Sequence, residues 1–225
     1  MQSQLFDAWP EKYTAWFSTP IGQLIKDYEQ QLMLSMLQPN VGETIADIGC
    51  GSGIFTLPTL SAGANVVGLD LSQGMLKTAN QCLSDYAFTS VAGDMLKLPF
   101  ADAEFDKVVS ITALEFVADA QTAMDELFRI TRPGGRVVLA TLNSKSSWAQ
   151  RRSEAARKDP TSLFNQAYFR SPEDLNRLAR RTGRVQTAIH FDKGAAVPIA
   201  QKLEEQGQVE NWDTGAFVIG CWHKP

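Results

Sequence analysis

From Thr44 onward, short apolar and β-branched runs alternate with longer segments whose apolar residues recur every three or four positions. That alternation predicts a parallel sheet covered by helices on both faces. The predicted strands are Thr44 to Ile48, Asn65 to Asp70, Phe88 to Ala92, Phe105 to Ile111 and Gly135 to Thr141, with two later ones at Val185 to Phe191 and Gly215 to Trp222. The first five end near small or polar residues, and open parallel sheets bind ligands outside those C-terminal ends.

The helical segments carry their own punctuation. Ser72 stands where an N-cap precedes Met75, Leu76 and Ala79, and Ala123, Leu127 and Ile130 form a stripe that stops before Pro133-Gly134-Gly135. Ser171-Pro172-Glu173-Asp174 reads as a capped start with proline at the first helical position, and Gly183 as the stop. A helix is expected from Gly22 to Leu37 and another around Ile199 to Gln206, inside an insertion from Asp192 to Asp213. Phe6, Trp9, Tyr13, Trp16 and Phe17 crowd the N-terminus ahead of the first of these.

Composition narrows the class. With 225 residues, 44% hydrophobic and 20% charged, the chain is long enough for one large α/β domain and ordinary for a globular one. A formal net charge of -4 argues against nucleic acid as the partner, and Arg151-Arg152 and Arg180-Arg181 with Arg184 read as solvated helix faces. Cys50, Cys82 and Cys221 form no CxxC pair, so neither a disulfide framework nor a metal site is expected, which fits a cytoplasmic protein. No uninterrupted apolar run has the length of a membrane span.

The chemistry concentrates at the strand ends. In Ile45-Ala46-Asp47-Ile48-Gly49-Cys50-Gly51-Ser52-Gly53 a buried strand runs into closely spaced glycines and then a helix. Glycine lets a ligand approach the backbone closely, and a helix N-terminus offers free amide donors. A tight turn alone would also account for it. The spacing is GxGxG with Ile54 following, which displaces the third glycine of the dinucleotide fingerprint and disfavours a nicotinamide-dependent dehydrogenase. Asp70 closes an apolar strand, where a carboxylate can accept two hydrogen bonds from a ribose diol or can serve a helix dipole.

With Gly93-Asp94-Met95 and Leu98-Pro99-Phe100, with Phe105-Asp106, and with Arg129-Ile130-Thr131-Arg132-Pro133-Gly134-Gly135, these segments form five ordered matches across 44–141. Together they resemble the class I S-adenosylmethionine-dependent methyltransferases of the small-molecule branch, similar to those of quinone biosynthesis. The resemblance implies a Rossmann-like α/β fold: a mostly parallel seven-stranded sheet, helices on both faces and an antiparallel late strand. It also implies an N-terminal helical cap over residues 1–40 and a methyltransferase domain over 41–225.

The implied cofactor is S-adenosylmethionine, held by Tyr13, Asp47, Gly49, Gly51, Gly53, Asp70, Leu71, Met75, Gly93, Asp94, Met95 and Thr112. Asp47 would hold its amino group, Asp70 its ribose and Asp94 its adenine amino group, with Met75 and Met95 beside the ring. Tyr13 could reach the methionine carboxylate or simply pack, and Trp16 or Phe17 could exclude water.

Where many relatives place histidine, Ser110 to Val117 has none, which leaves Glu115 as the candidate catalytic group, orienting substrate or accepting a proton. A cap or surface carboxylate is the other reading of Glu115. The expected partner is a small-molecule methyl acceptor of unspecified identity. A noncatalytic cofactor-binding regulatory module, or an RNA methyltransferase binding through the Arg151 to Lys158 stretch, would carry many of the same motifs.

Overall fold

The computed structural model describes residues 15–225. Helix α1 spans Pro20–Leu37 and leads into strand β1, Thr44–Ile48. There follow α2 Thr56–Ser61, β2 Asn65–Asp70, α3 Gln73–Cys82, β3 Phe88–Ala92 and β4 Phe105–Ile111. Then come α4 Ala120–Ile130, β5 Thr131–Leu142, α5 Ser147–Lys158, α6 Pro172–Ala179, β6 Arg184–Ala188, α7 Val197–Val209 and β7 Phe217–His223. Short 3₁₀ turns lie at Leu114–Phe116 and Leu163–Gln166.

The seven strands form one sheet in the order β3-β2-β1-β4-β5-β7-β6. β1 pairs in parallel with β2 on one side and β4 on the other, so the strand order reverses direction around β1. β7 runs antiparallel to both β5 and β6. The expected mostly parallel sheet with an antiparallel late strand is therefore present.

Period-two alternation sorts the core. Ile45, Val109 and Val138 point into one apolar layer with Met33, Met36 and Leu37 of α1, while Ala46, Val108 and Val137 point into the other with Met124 and Leu127 of α4. Caps set the helix starts by occupying amides that a helix leaves free. Thr19 accepts from Gly22 N, Ser72 accepts from Met75 N, and Ser171 with Asp174 completes a capping box.

Several boundaries differ from the sequence reading, among them β7, which spans Phe217–His223 where Gly215 to Trp222 was expected. β5 begins at Thr131, because Thr131 pairs with Phe105 and the register shifts before Lys107, so the Pro-Gly-Gly run is a bulge inside the strand and not a turn ahead of it. β6 ends at Ala188, because Ile189 enters the left-handed region at φ 66°. α6 stops at Ala179, with Arg180 left-handed at φ 51°, before Gly183 is reached.

Candidate active site

A cavity of about 680 Å³ opens over the C-terminal ends of β1, β2 and β4. Ligands of open α/β sheets are received at such a reversal of strand order. Asp47, Gly49, Gly51, Asp70, Leu71, Met75, Gly93, Asp94, Met95, Thr112 and Glu115 all line it. Gly53 does not: a Cβ there would meet Leu83 Cδ1 at 2.7 Å, so this glycine makes room for α3 packing. Tyr13, like Phe6 and Trp9, lies outside the described residues.

The turn after β1 supplies the first wall. Gly49 N and Cys50 N both donate to Leu69 O, and Gly51 N donates to Asp70 Oδ2 at 2.8 Å, tying the turn to the end of β2. Asp70 Oδ1 also accepts from Ser72 N at 2.8 Å. Gly51 has φ 54° and open space where a Cβ would stand, so its backbone borders the cavity directly. Ser52 Oγ, in the same turn, is buried and has no hydrogen-bond partner among the described residues.

Asp47 is 2% exposed, and Thr56 Oγ1 donates to its Oδ2 at 2.6 Å. Burial, with the nearby Asp70 charge adding to it, raises its carboxyl to about 7. Across the turn, Asp94 Oδ1 accepts from Leu96 N at 2.9 Å, shaping the loop that presents Met95. Arg129 donates to Leu98 O and Phe100 O, which pins the Leu98-Pro99-Phe100 turn beneath it.

A sulfonium nucleoside cofactor fits these groups. The buried Asp47 carboxyl answers an ammonium, the orphaned Ser52 hydroxyl has a donor to spend, and the Asp70 carboxylate borders the cavity. Met75 and Met95, both nearly buried, supply apolar contact for a ring.

The far end of the cavity joins Glu115, the catalytic candidate of the sequence reading, to side chains contributed by several other elements. Glu115, on the 3₁₀ turn after β4, is 1% exposed and accepts from Thr141 Oγ1 at 3.0 Å, so it is neither a surface carboxylate nor a helix cap. Burial raises its carboxyl to about 7. Arg170 holds that turn by donating to Leu114 O, Tyr168 O and Val117 O.

Glu29 of α1 also lines the cavity. Its acidic character and helical spacing gave no sign of this, because the same pattern describes any amphipathic helix. Arg152 is a correction as well: its guanidinium lies over the Trp148 and Phe164 rings at 5.1 and 5.2 Å and lines the cavity instead of a solvated face. Arg151 is exposed, as expected, but also lies at the rim. Trp16 and Phe17 line the cavity too, and Phe17 meets Phe55 edge-on at 6.1 Å.

His190 stands apart from the cavity, its Nδ1 3.1 Å from Glu204 Oε2. Thr112 and Ile189 are β-branched residues at positive φ, 49° and 66°, and both line the cavity. Such conformations cost about 1–3 kcal/mol each and persist where the surroundings over-determine them. Among the described residues no cluster of His, Cys, Asp and Glu could hold a metal ion, and no helix is long and apolar enough to cross a membrane.

Comparison with known proteins finds methyltransferases both by sequence and by fold. Residues 46–139 match the family described as methyltransferase domain. The chain is 36% identical over 111 residues to a demethylmenaquinone methyltransferase of Paenarthrobacter aurescens, covering 49% of this chain and 43% of that protein. It is 39% identical over 105 residues to a malonyl-[acyl-carrier protein] O-methyltransferase of Erwinia billingiae, covering 47% and 41%. The chain thus spans less than half the length of these relatives.

Among solved structures, a SAM-dependent methyltransferase from Thermotoga maritima superposes with a TM-score of 0.74 at 20% identity, covering 100% of both chains. A Haemonchus contortus phosphoethanolamine N-methyltransferase solved with S-adenosylmethionine superposes at 0.69 and 17% identity, covering 100% of this chain and 60% of that one. At these identities the likeness is one of fold.

Proposed function

We propose that this chain, which carries a class I S-adenosylmethionine-dependent methyltransferase domain, transfers a methyl group to a small molecule held at the Glu115 end of its cavity. The observation that carries this reading is one continuous cavity that runs from the Asp47, Asp70 and Asp94 wall to an aromatic-lined chamber beyond Thr112. Bound there, the cofactor supplies a methyl already activated by its sulfonium.

The protein's task is then to align the acceptor and keep water out. Asp47 holds the cofactor's ammonium, Ser52 Oγ donates to its carboxylate, Asp70 accepts from its ribose and Asp94 from its adenine amino group. Met75 and Met95 flank the ring, and Leu71, Gly93 and Thr112 close the wall around it. Glu115 orients the acceptor and takes its proton. Residues 1–40 act as a cap on the domain of 41–225, a role supported by Trp16 and Phe17 at the cavity wall.

The test is transfer of labelled methyl from S-adenosylmethionine to a metabolite extract, read by mass spectrometry. A labelled low-molecular-weight product, lost in Glu115→Gln, is the expected result. Binding of the cofactor without any labelled product would favour a regulatory binding module, and label only in RNA would contradict the small-molecule reading.

A further inference from the structure

Charged groups divide the cavity into two ends. Asp47 and Asp70 act on one another at the first. Glu29 and Glu115 act on one another at the second, where Arg152 of α5 and Glu204 of α7 also face Glu29. Glu29 is 9% exposed and opens onto the cavity, where Arg152 is the charge that offsets its burial. A buried carboxyl in that position is costly unless something compensates it.

Of the cations near it, Arg152 faces both Glu29 and Glu115, and the others are committed or peripheral. Arg152 is only half-buried and stacks on Trp148 and Phe164. Arg170 spends its donors on three backbone carbonyls. Lys193 is exposed, with Nζ 4.6 Å from the centre of the Trp16 ring at the rim. The interior of this end therefore sets two carboxyls against one facing guanidinium, Arg152, within an aromatic and apolar wall that includes Phe17, Phe116 and Trp148. Carboxylates and aromatic faces together are the surroundings that favour a cationic nitrogen.

We propose that the methyl acceptor is an amine with an apolar body, whose ammonium is received between Glu29 and Glu115. This rests on the methyltransferase reading and deepens it. The ammonium gives one proton to a Glu carboxylate, the freed nitrogen lone pair forms the bond to the methyl carbon, and the former carbon–sulfur pair stays on the departing thioether. The product is a methylated ammonium and one proton passes to solvent through the carboxyl.

Burial raises Glu29 to about 8, against the lowering effect of Arg152 and with the raising effects of Glu115 and Glu204. At pH 7 the empty site holds Glu29 largely protonated, so ammonium binding expels a proton.

The experiment is calorimetry on the intact chain loaded with S-adenosylhomocysteine. The probes are a panel of primary and secondary alkyl- and arylalkylamines, each paired with its hydroxyl isostere. Measurement at pH 7 in two buffers of different ionisation enthalpy counts the protons released. At least one amine binds ~tenfold or more tightly than its isostere, releases about one proton, and loses ~tenfold or more in affinity in Glu29→Gln. S-adenosylhomocysteine affinity stays within about twofold in that variant, since Glu29 lies at the other end.

Isosteres that bind as well as every amine would overturn the proposal, as would amine binding indifferent to both Glu29→Gln and Glu115→Gln. Failure of S-adenosylhomocysteine itself to bind would instead strike the underlying function, so the two failures are distinguishable.

Discussion

Gly51 N–H donates to Asp70 Oδ2 at 2.8 Å, so the carboxylate at the end of β2 fastens the turn at the end of β1. Ser72 N occupies the other oxygen. Asp70 is thus a structural anchor as well as the proposed ribose partner. Asp70→Ala leaves two amides without their acceptor and should cost about 1–3 kcal/mol in urea denaturation of the cofactor-free protein. An unchanged midpoint and slope would remove the anchoring role.

Gly49 and Gly51 share positive φ but not surroundings. A Cβ at Gly49 would stand 2.4 Å from Ala113 Cβ, whereas one at Gly51 meets nothing within 4 Å and enters the cavity. Gly49→Ala should lower the melting temperature more than Gly51→Ala, whose left-handed backbone costs roughly 1–2 kcal/mol. Gly51→Ala should show the larger loss of S-adenosylmethionine affinity relative to its loss of stability. Thermal melts and calorimetry on both variants check the crossover.

Stability of the cofactor-free protein should fall as pH rises. Burial raises Glu29 to about 8, Glu115 to about 7 and Asp47 to about 7, all above their values in an unfolded chain. The folded state therefore binds more protons than the unfolded one between the unfolded and folded values, and stability decreases with pH through that window. The stability is fully present near pH 4 and lost as pH passes about 8. Glu29→Gln should flatten the pH 6 to 8.5 limb of a melting-temperature profile. A limb of wild-type slope in that variant would contradict the assignment.

Arg170 connects the turn carrying Glu115 to the chain around Tyr168, and Tyr168 N also donates to Glu115 O at 2.7 Å. Arg170→Ala should destabilise the fold by at least ~2 kcal/mol, because three carbonyls lose their donor. S-adenosylmethionine affinity should hold while turnover falls. Equal losses of cofactor affinity and turnover would show that the turn serves both ends of the cavity.

The sheet was legible because β1 to β4 are short apolar runs with sharp polar ends, and each occupies the predicted residues. The departures came where tertiary pairing overrode local signals. Pro133-Gly134-Gly135 spells a turn, yet Thr131 is held in the sheet by Phe105. The cavity wall of Asp47, Asp70 and Asp94 followed from motifs contiguous in sequence. Beyond Glu115, the proposed acceptor end did not, because Glu29, Trp148 with Arg152, and Phe164 come from α1, α5 and the Leu163–Gln166 turn, brought together only by folding.

Glu29 and Arg152 carried no local mark to distinguish them from solvated helix residues. Their role appears only in what surrounds them: an apolar cavity wall for one and two aromatic rings for the other.

Calorimetric titration of S-adenosylmethionine into the wild-type chain and into Asp70→Ala tests the central claim most directly. The account predicts one saturable site in the wild type and at least ~tenfold weaker binding in the variant, from the loss of charge-assisted hydrogen bonds. No detectable binding to the wild type, or equal binding to both proteins, would contradict it.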